Sequence, residues 1–550
     1  MSTSEKPTQL TQKHPSAFEP TTLVLMIVVS AFGAVIGMQI ITTLGVTPNT
    51  AIIGVLVAIA LSRIPIAFLK PLRSVHRQNL IQSNVSTATF AAANSLLLPI
   101  GIPFILGKPN LVWPMLIGAA LAMVIDILML FWIFDSKLMP GSAAWPPGLA
   151  AAEAIKAGDE GGKRAGILGI GTGVGLLGSW MGIPMAAFGV AFIGNIVALT
   201  MFGLGLLARG YSEQIFGFDI AKEYIPHGLM IGAGIVALIQ AMLSVRRKRS
   251  KGRNEDATAQ PSAPVAQSVP ASHNDVYTRD ESDIGKGLVR GLILYLGAAI
   301  VLAVTGGLLA EMSVGQLAVW VVYAAISCLA AEFIIGLSAM HSGWFPAFAT
   351  ALIFLTIGII IGFSMVPLAL MVGFIAAGGP AFADGGYDFK AGWILRNAQA
   401  DPRFELEGRR QQLYAGLIGM AVALVVVAAT YQTYFTNDQF PPIVRVYKST
   451  IEAGLGNPEL LGTLALWAIP GAVIQALGGP KRQMGILLAT GTLIFNPIAG
   501  WTVLAGILLR IVYTRWRGEA GETDMTVAAA GFIAGDALWG FGTSMFKTKF

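Results

Sequence analysis

The chain has 550 residues, of which 55% are hydrophobic and only 12% charged, with a mean hydropathy of +0.69. Soluble chains carry about 25% charged residues. This composition therefore excludes a soluble enzyme, a nucleic-acid binder and a disordered chain, and the net charge of +6 reads as Lys and Arg held on the cytoplasmic side of a membrane.

Residues 1–20 are polar, with Pro7, Pro15 and Pro20, and read as a short cytoplasmic tail. The apolar run Thr21–Leu44 is too long for a secretory core and reads as a retained signal anchor. A hydrocarbon core of about 30 Å takes about 20 apolar residues per helix. Further runs lie at 48–69, 83–107, 111–134, 165–182, 184–208 and 227–245. A second series follows at 288–310, 315–340, 341–364, 365–383, 413–434, 459–478, 483–498, 500–513 and 525–546. They predict an all-α, polytopic integral membrane protein with about 14–16 membrane-embedded helices, some of them broken or re-entrant. Membrane lipids are its surroundings, and the cytoplasmic membrane is its expected location.

The segment 246–283 interrupts this pattern. It opens with Arg246-Arg247-Lys248-Arg249 and continues through Pro261, Pro264 and Pro270. Such a stretch buries too little apolar surface to offset its ordering entropy. It reads as a flexible cytoplasmic linker between halves 21–245 and 284–550. Its basic run is a topology signal that can also meet anionic headgroups. The basic loop Lys70–Arg77 belongs on the same side, yet five full crossings separate the two. One segment must therefore fail to cross, or one extra crossing must exist. The best candidate is 83–107, polar at Ser83, Asn84, Ser86 and Asn94 and expected to break at Pro99 and Pro103. Irregular backbone at membrane depth is tolerated only inside protein or beside water, so this segment is expected to line a transport path.

The two halves share an outline. Each has a polar-headed segment, an apolar span, a Gly-rich loop and a basic entrance, Gly161-Gly162-Lys163-Arg164 in one and Gly408-Arg409-Arg410 in the other. Ala237-Leu238-Ile239-Gln240-Ala241 is echoed by Ala472-Val473-Ile474-Gln475-Ala476. Duplicated transporters place their solute site between such repeats, at discontinuous helices.

Several tempting signals fail. Gly169-Ile170-Gly171-Thr172-Gly173-Val174-Gly175 lies inside an apolar run with no preceding strand, so it reads as close helix packing, like Gly33 and Gly37. No Walker pair is present, which argues against ATP-driven pumping by this chain. The single cysteine, Cys328, and the five scattered histidines offer no disulfide framework and no sequence-local metal site. No cofactor and no nucleic-acid partner are expected.

The stretch Trp145-Pro146-Pro147-Gly148-Leu149-Ala150-Ala151-Ala152-Glu153-Ala154-Ile155-Lys156-Ala157-Gly158 with Gly161-Gly162 resembles the loop signature of the oligopeptide transporter (OPT) family. Asn79-Leu80-Ile81-Gln82-Ser83 with Pro99 resembles that family's broken segment. Asp388-Phe389-Lys390-Ala391-Gly392 with Arg409-Arg410-Gln411-Gln412 resembles its second-half pattern, and Gly531-Phe532-Ile533-Ala534-Gly535-Asp536 its last helix. Departures occur at Pro147, where the family carries an acid, and at Asp536, where it carries Glu. Its small-residue motif is barely visible in Met340–Pro346. The resemblance implies uptake of peptides, or of metal chelates with peptide-like ligands, coupled to protons.

A charge at the bilayer centre costs from about 2.5 kcal/mol upward, so acids inside apolar runs stand out. Asp126, Glu332, Asp536 and Glu153 are the candidates for proton coupling, because a carboxyl at low dielectric holds its proton more tightly than in water. Each also has a plainer reading as a buried structural group, and Glu153 as a helix cap. Asn84, Ser86, Asn94, His341 and Ser342 offer hydrogen bonds to a peptide-like solute. Gln240 and Gln475 are solute ligands or, more simply, an interhelical pair. Lys163, Arg164, Arg409 and Arg410 read as interfacial anchors. The expected activity is secondary transport by alternating access around a central polar cavity, possible as a homo-oligomer. The alternatives are a membrane-embedded hydrolase or lipid transferase, hinted at only by Ser338 and Ser342 near His341, and a passive channel.

Overall fold

A computed structural model of the chain describes residues 13–44, 54–55, 64–246, 277–343, 345–398, 400–454, 459–517 and 520–547. Most of the expected span 48–69, most of the linker 246–283 and the start of the polar tail lie outside the described residues. Among the described residues the regular elements are helical and no named strand forms. In chain order the main helices are α1 (Pro20–Leu44), α2 (Val75–Phe90), α3 (Leu98–Ile105), α4 (Val112–Ile133), α5 (Pro146–Glu160), α6 (Gly162–Trp180), α7 (Met185–Ile193), α8 (Ile196–Gly210) and α9 (Ile225–Arg246). After the linker come α10 (Glu281–Thr305), α11 (Val314–Ser342), α12 (Ala347–Ile361), α13 (Met365–Leu395), α14 (Pro402–Thr436), α15 (Pro442–Gly454), α16 (Glu459–Arg482), α17 (Met484–Leu493), α18 (Pro497–Arg517) and α19 (Ala520–Lys547).

Nine helices among the described residues are long and apolar enough to cross a membrane. Two of them form the centre. The spans Val75–Ile105 and Met365–Leu395 are 89% and 94% buried across their apolar windows, against 22–61% for the other seven. The first carries a dense run of polar side chains and the second holds Asp384, Asp388 and Lys390, groups that burial inside protein shields from lipid.

Three expectations are corrected here. The segment 83–107 does not break at its prolines: α2 runs into α3 through a π-helical stretch, Ala91–Leu97. A π turn shifts the carbonyl register just ahead of Pro99, where a prolyl ring would otherwise clash with the preceding turn. The signature stretch after Trp145 is not a loop but the buried helix α5. Pro146 and Pro147 occupy its first turn, where a missing N–H costs nothing, and Trp145 precedes it in a left-handed conformation. The Gly/Asp stretch 384–388 is likewise helical, within the 31-residue α13. Its Gly386 gives room for a neighbour rather than a turn: a Cβ there would stand 2.2 Å from the Trp145 ring.

The most extensive helix pairs join the parts of the chain before and after the linker: α9 with α16, α6 with α19, and α8 with α17. Small residues set these distances, as in other lipid-embedded bundles. Gly171 and Gly175 of α6 meet Gly531 and Gly535 of α19, so the glycine run is a packing face. Gly33 and Gly37 of α1 likewise lie against Thr89 of α2. At the N-terminus, Glu19 pairs with Arg77 at 2.7 Å and the Ala17 amide donates to Gln411 at 2.9 Å. The His14 ring packs on His76 and Phe404.

Two measurements check this packing. Gly175→Ala brings a methyl to 2.6 Å from the Phe532 carbonyl, whereas Gly173 on the same helix faces open space. Overpacking costs about 1–3 kcal/mol, so Gly175→Ala lowers the unfolding midpoint in detergent by several degrees and Gly173→Ala leaves it unchanged. Burial, assisted by Arg396, pushes the His14 imidazole down from 6.5 to about 3. Between those values the unfolded segment binds a proton that the docked one does not, so docking weakens as pH falls through that window. His14→Phe is expected to flatten the acid-side loss of stability, read by thermal unfolding between pH 7 and pH 4.

Candidate functional site

A continuous set of buried polar side chains runs between α2, α13 and α14. It begins where these helices end. Arg396, just past α13, and Arg409 of α14 both bond Glu405, and all three side chains are inaccessible to solvent. Arg409 donates through Nε to Glu405 at 3.0 Å and through Nη2 to its other oxygen. It also donates to the Phe134 carbonyl at 2.6 Å and the Thr278 hydroxyl at 2.5 Å. Thr278 in turn donates to Asp135 at 2.8 Å. Arg409 is therefore a buried hub and not the interfacial anchor that its position near a helix entrance suggests.

The set continues inward through amides. Arg396 donates to Gln412 at 2.7 Å and to Asn79 at 3.3 Å. Gln412 donates to the Ser83 hydroxyl at 2.8 Å and to the Asp388 carbonyl at 2.7 Å. Asn79 donates to Gln82 at 3.0 Å, and Gln82 to the Asp388 carboxylate at 2.5 Å. Thr87 donates to the other Asp388 oxygen at 3.2 Å, and Ser86 to Asp384 at 2.7 Å. Asp384 stands eleven residues before Leu395, so the set reaches about 16 Å along the helix. The helical register explains it: 79, 82, 83, 86 and 87 fall on one face of α2, and 384 and 388 on one face of α13.

At its inner end α11 stops. Gly343 is left-handed, and the Trp145 amide donates to the Met340 carbonyl at 2.9 Å. Tyr387 donates to the Gly343 carbonyl at 2.9 Å. A second interruption lies alongside, between α7 and α8. There the buried Arg510 donates to the Gly194 carbonyl at 2.6 Å. Gly194 permits the close approach, since a Cβ there would meet the His341 carbonyl at 2.8 Å. Discontinuous helices thus meet inside the bundle, the arrangement that transporters use for solute sites.

A second group of acids lies between α4, α10, α11 and α13. Asp126 and Glu332 are both buried. Tyr295 donates to Asp126, while Asp126 Oδ2 and both Glu332 oxygens accept no hydrogen bond.

The remaining sequence candidates divide. Asn84 and Ser86 are fully buried on α2, and Asn84 donates to the Ala415 carbonyl at 2.9 Å. Asn94 is buried in the π-helical stretch. His341 and Ser342 stand at the end of α11, with Ser342 donating to the Ser338 carbonyl at 2.9 Å. Gln240 and Gln475 lie elsewhere: Gln475 donates to Gln240 at 3.0 Å and accepts the Gly485 and Ile486 amides, which caps α17. Glu153 sits inside α5, held by Arg164 and Lys156, not at a helix cap. Asp536 accepts the Ser179 hydroxyl at 2.5 Å and the Met185 amide at 3.1 Å, tying α19 to the start of α7. Asp384, Glu405 and Arg396 were not singled out in the sequence. Asp388 and Gln412 entered only through motif resemblance, and Arg409 through that and as an expected interfacial anchor.

Among the described residues, Ser83 to Pro103 of the expected cavity wall are buried, and an open cleft of about 440 Å³ lies at the helix ends, lined by Lys137, Tyr277, Arg279 and Glu281.

An α-helical membrane bundle with a buried polar core and interrupted helices defines a transporter architecture more than an enzyme. The sequence model described as OPT oligopeptide transporter protein matches residues 20–221 and 214–547. The chain belongs to that family, and it is a transporter. No curated protein matches it.

Breaking one partner of a buried ion pair costs about 3–5 kcal/mol, whereas replacing the whole pair by apolar groups is often neutral. Glu405→Ala is therefore expected to destabilise strongly. Glu405→Leu combined with Arg396→Met and Arg409→Met recovers part of that loss, measured by thermal unfolding in detergent.

Proposed function

We propose that the protein is a secondary active transporter that imports small peptides, or peptide-like solutes including metal chelates, across the cytoplasmic membrane by proton-coupled alternating access. One observation carries this reading: the two most enclosed membrane helices hold a connected file of buried polar side chains that ends at interrupted helices. Lipid-facing helices would exclude such groups. The basic start of the linker supports placing the Arg396–Glu405–Arg409 end toward the cytoplasm.

Asp126 and Glu332 are the coupling carboxyls in this reading. Three of their four oxygens accept no hydrogen bond, and a buried carboxylate without a partner is far costlier than the protonated acid. Loading and release of a proton there shifts the balance between outward- and inward-facing states, because only differential binding can move that equilibrium. Asp536 and Glu153 already hold donors or cations, which favours structural roles for them, and Gln240 with Gln475 serves as an interhelical lock.

The test is uptake into proteoliposomes. An inward proton gradient is expected to accelerate wild-type accumulation at least tenfold. Asp126→Asn and Glu332→Gln lose that acceleration yet retain solute counterflow, which needs no gradient. Wild-type uptake indifferent to the proton gradient sinks the coupling, and flux that never exceeds the solute gradient identifies a passive channel.

A further inference from the structure

Asp384 is fully buried and accepts the Ser86 hydroxyl through one oxygen only; Oδ2 has no hydrogen-bond partner. The cations of the polar file are committed elsewhere. Arg396 and Arg409 bond Glu405, and Lys390 donates to the Gly141 carbonyl at 2.8 Å with its ammonium over the Trp393 ring. Buried polar atoms are satisfied in the great majority of cases, so an unpartnered carboxylate oxygen points to something that occupies the site during function.

The surroundings of Asp384 favour one kind of occupant. Tyr387, one turn further along α13, holds the Gly343 carbonyl at the C-terminus of the 29-residue α11. A helix C-terminus carries partial negative charge. Beyond that turn, the Phe345 ring lies 6.5 Å from Tyr387 and 6.2 Å from Phe90, itself one turn past Ser86 on α2. Aromatic faces attract organic cations. A carboxylate, the negative end of a helix and three aromatic rings thus converge at the interrupted helix. A metal ion is a poor match, because aromatic walls supply no further oxygen, nitrogen or sulfur ligands. A primary ammonium matches on all three counts and brings three donors, one of which the free Asp384 oxygen would accept.

We propose that Asp384 binds the protonated amino terminus of the transported solute, so that the protein selects peptides with a free α-amino group. This rests on the reading as a transporter of peptide-like solutes and adds the end of the solute that is recognised, and by which residue.

The experiment compares tri- and tetra-alanine with their N-acetylated forms on the purified full-length protein, reading thermal stabilisation. The free-amine peptides are expected to raise the melting temperature, and acetylation to weaken binding at least tenfold. Affinity for the free amine falls above about pH 8, where an α-amino group loses its proton. Asp384→Asn removes the preference for the free amine. Where that variant fails to fold, the acetylation and pH comparisons on the wild type stand alone. Equal binding of acetylated and free peptides, a preference that survives in Asp384→Asn, or no binding of any free-amine peptide overturns the proposal. Counterflow distinguishes the two levels. Equal exchange of both peptide forms leaves the transporter reading intact and removes the amine site, whereas no exchange of either form removes both.

Discussion

Inside a hydrocarbon layer no water is available to complete a hydrogen bond, and the architecture follows from that shortage. Polar side chains on α2 must find partners inside protein. Many find them on α13 and α14, and α2 and α13 are the most enclosed of the long helices. The same shortage explains the interrupted helices. The carbonyls released at Gly194 and Gly343 are taken up by Arg510 and Tyr387, side chains from elsewhere in the chain.

The polar interior has two regimes. At the helix ends, two guanidiniums share one carboxylate, and amides of Asn79, Gln82 and Gln412 extend the bonding inward. That region is densely hydrogen-bonded and suited to holding helices in register. Deeper in, Asp384, Asp126 and Glu332 keep oxygens without partners. A carboxyl oxygen left unsatisfied in a buried position is where binding a proton or a solute changes the energy most. In the proposed mechanism the densely bonded part serves as scaffold, and the unsatisfied acids are where binding biases a conformational equilibrium.

Close packing complements this. The glycines of α6, α8, α17 and α19 let backbones approach until carbonyl and Cα atoms touch. Without a hydrophobic drive between helices in lipid, such contact is one of the few sources of association. It also fixes the helices carrying the α7–α8 interruption against the rest, so that the site is built on rigid supports.

Much of the fold was legible in the chain itself. Long apolar runs with few charges determine helices in a membrane, because no other open-chain structure satisfies its backbone there. The isolated acids Asp126 and Glu332 announced buried positions for the same reason, whereas Asp536 is half-buried, and the glycine runs announced packing faces. What residue order does not contain is the partner of each polar group. Whether Asp126 meets a lysine or another acid, or whether Arg409 faces lipid or Glu405, depends on which helices adjoin. The glycines and prolines misled for a related reason. At 83–107, after Trp145 and around Asp384 they read locally as breaks, but neighbouring rings and backbones fill the space they leave and the helices continue. Residue types determined that the protein lives in lipid and which groups must be hidden; only the tertiary packing decided what they are hidden against, since hydrogen bonds and ion pairs between residues some 300 positions apart leave no periodic trace in sequence.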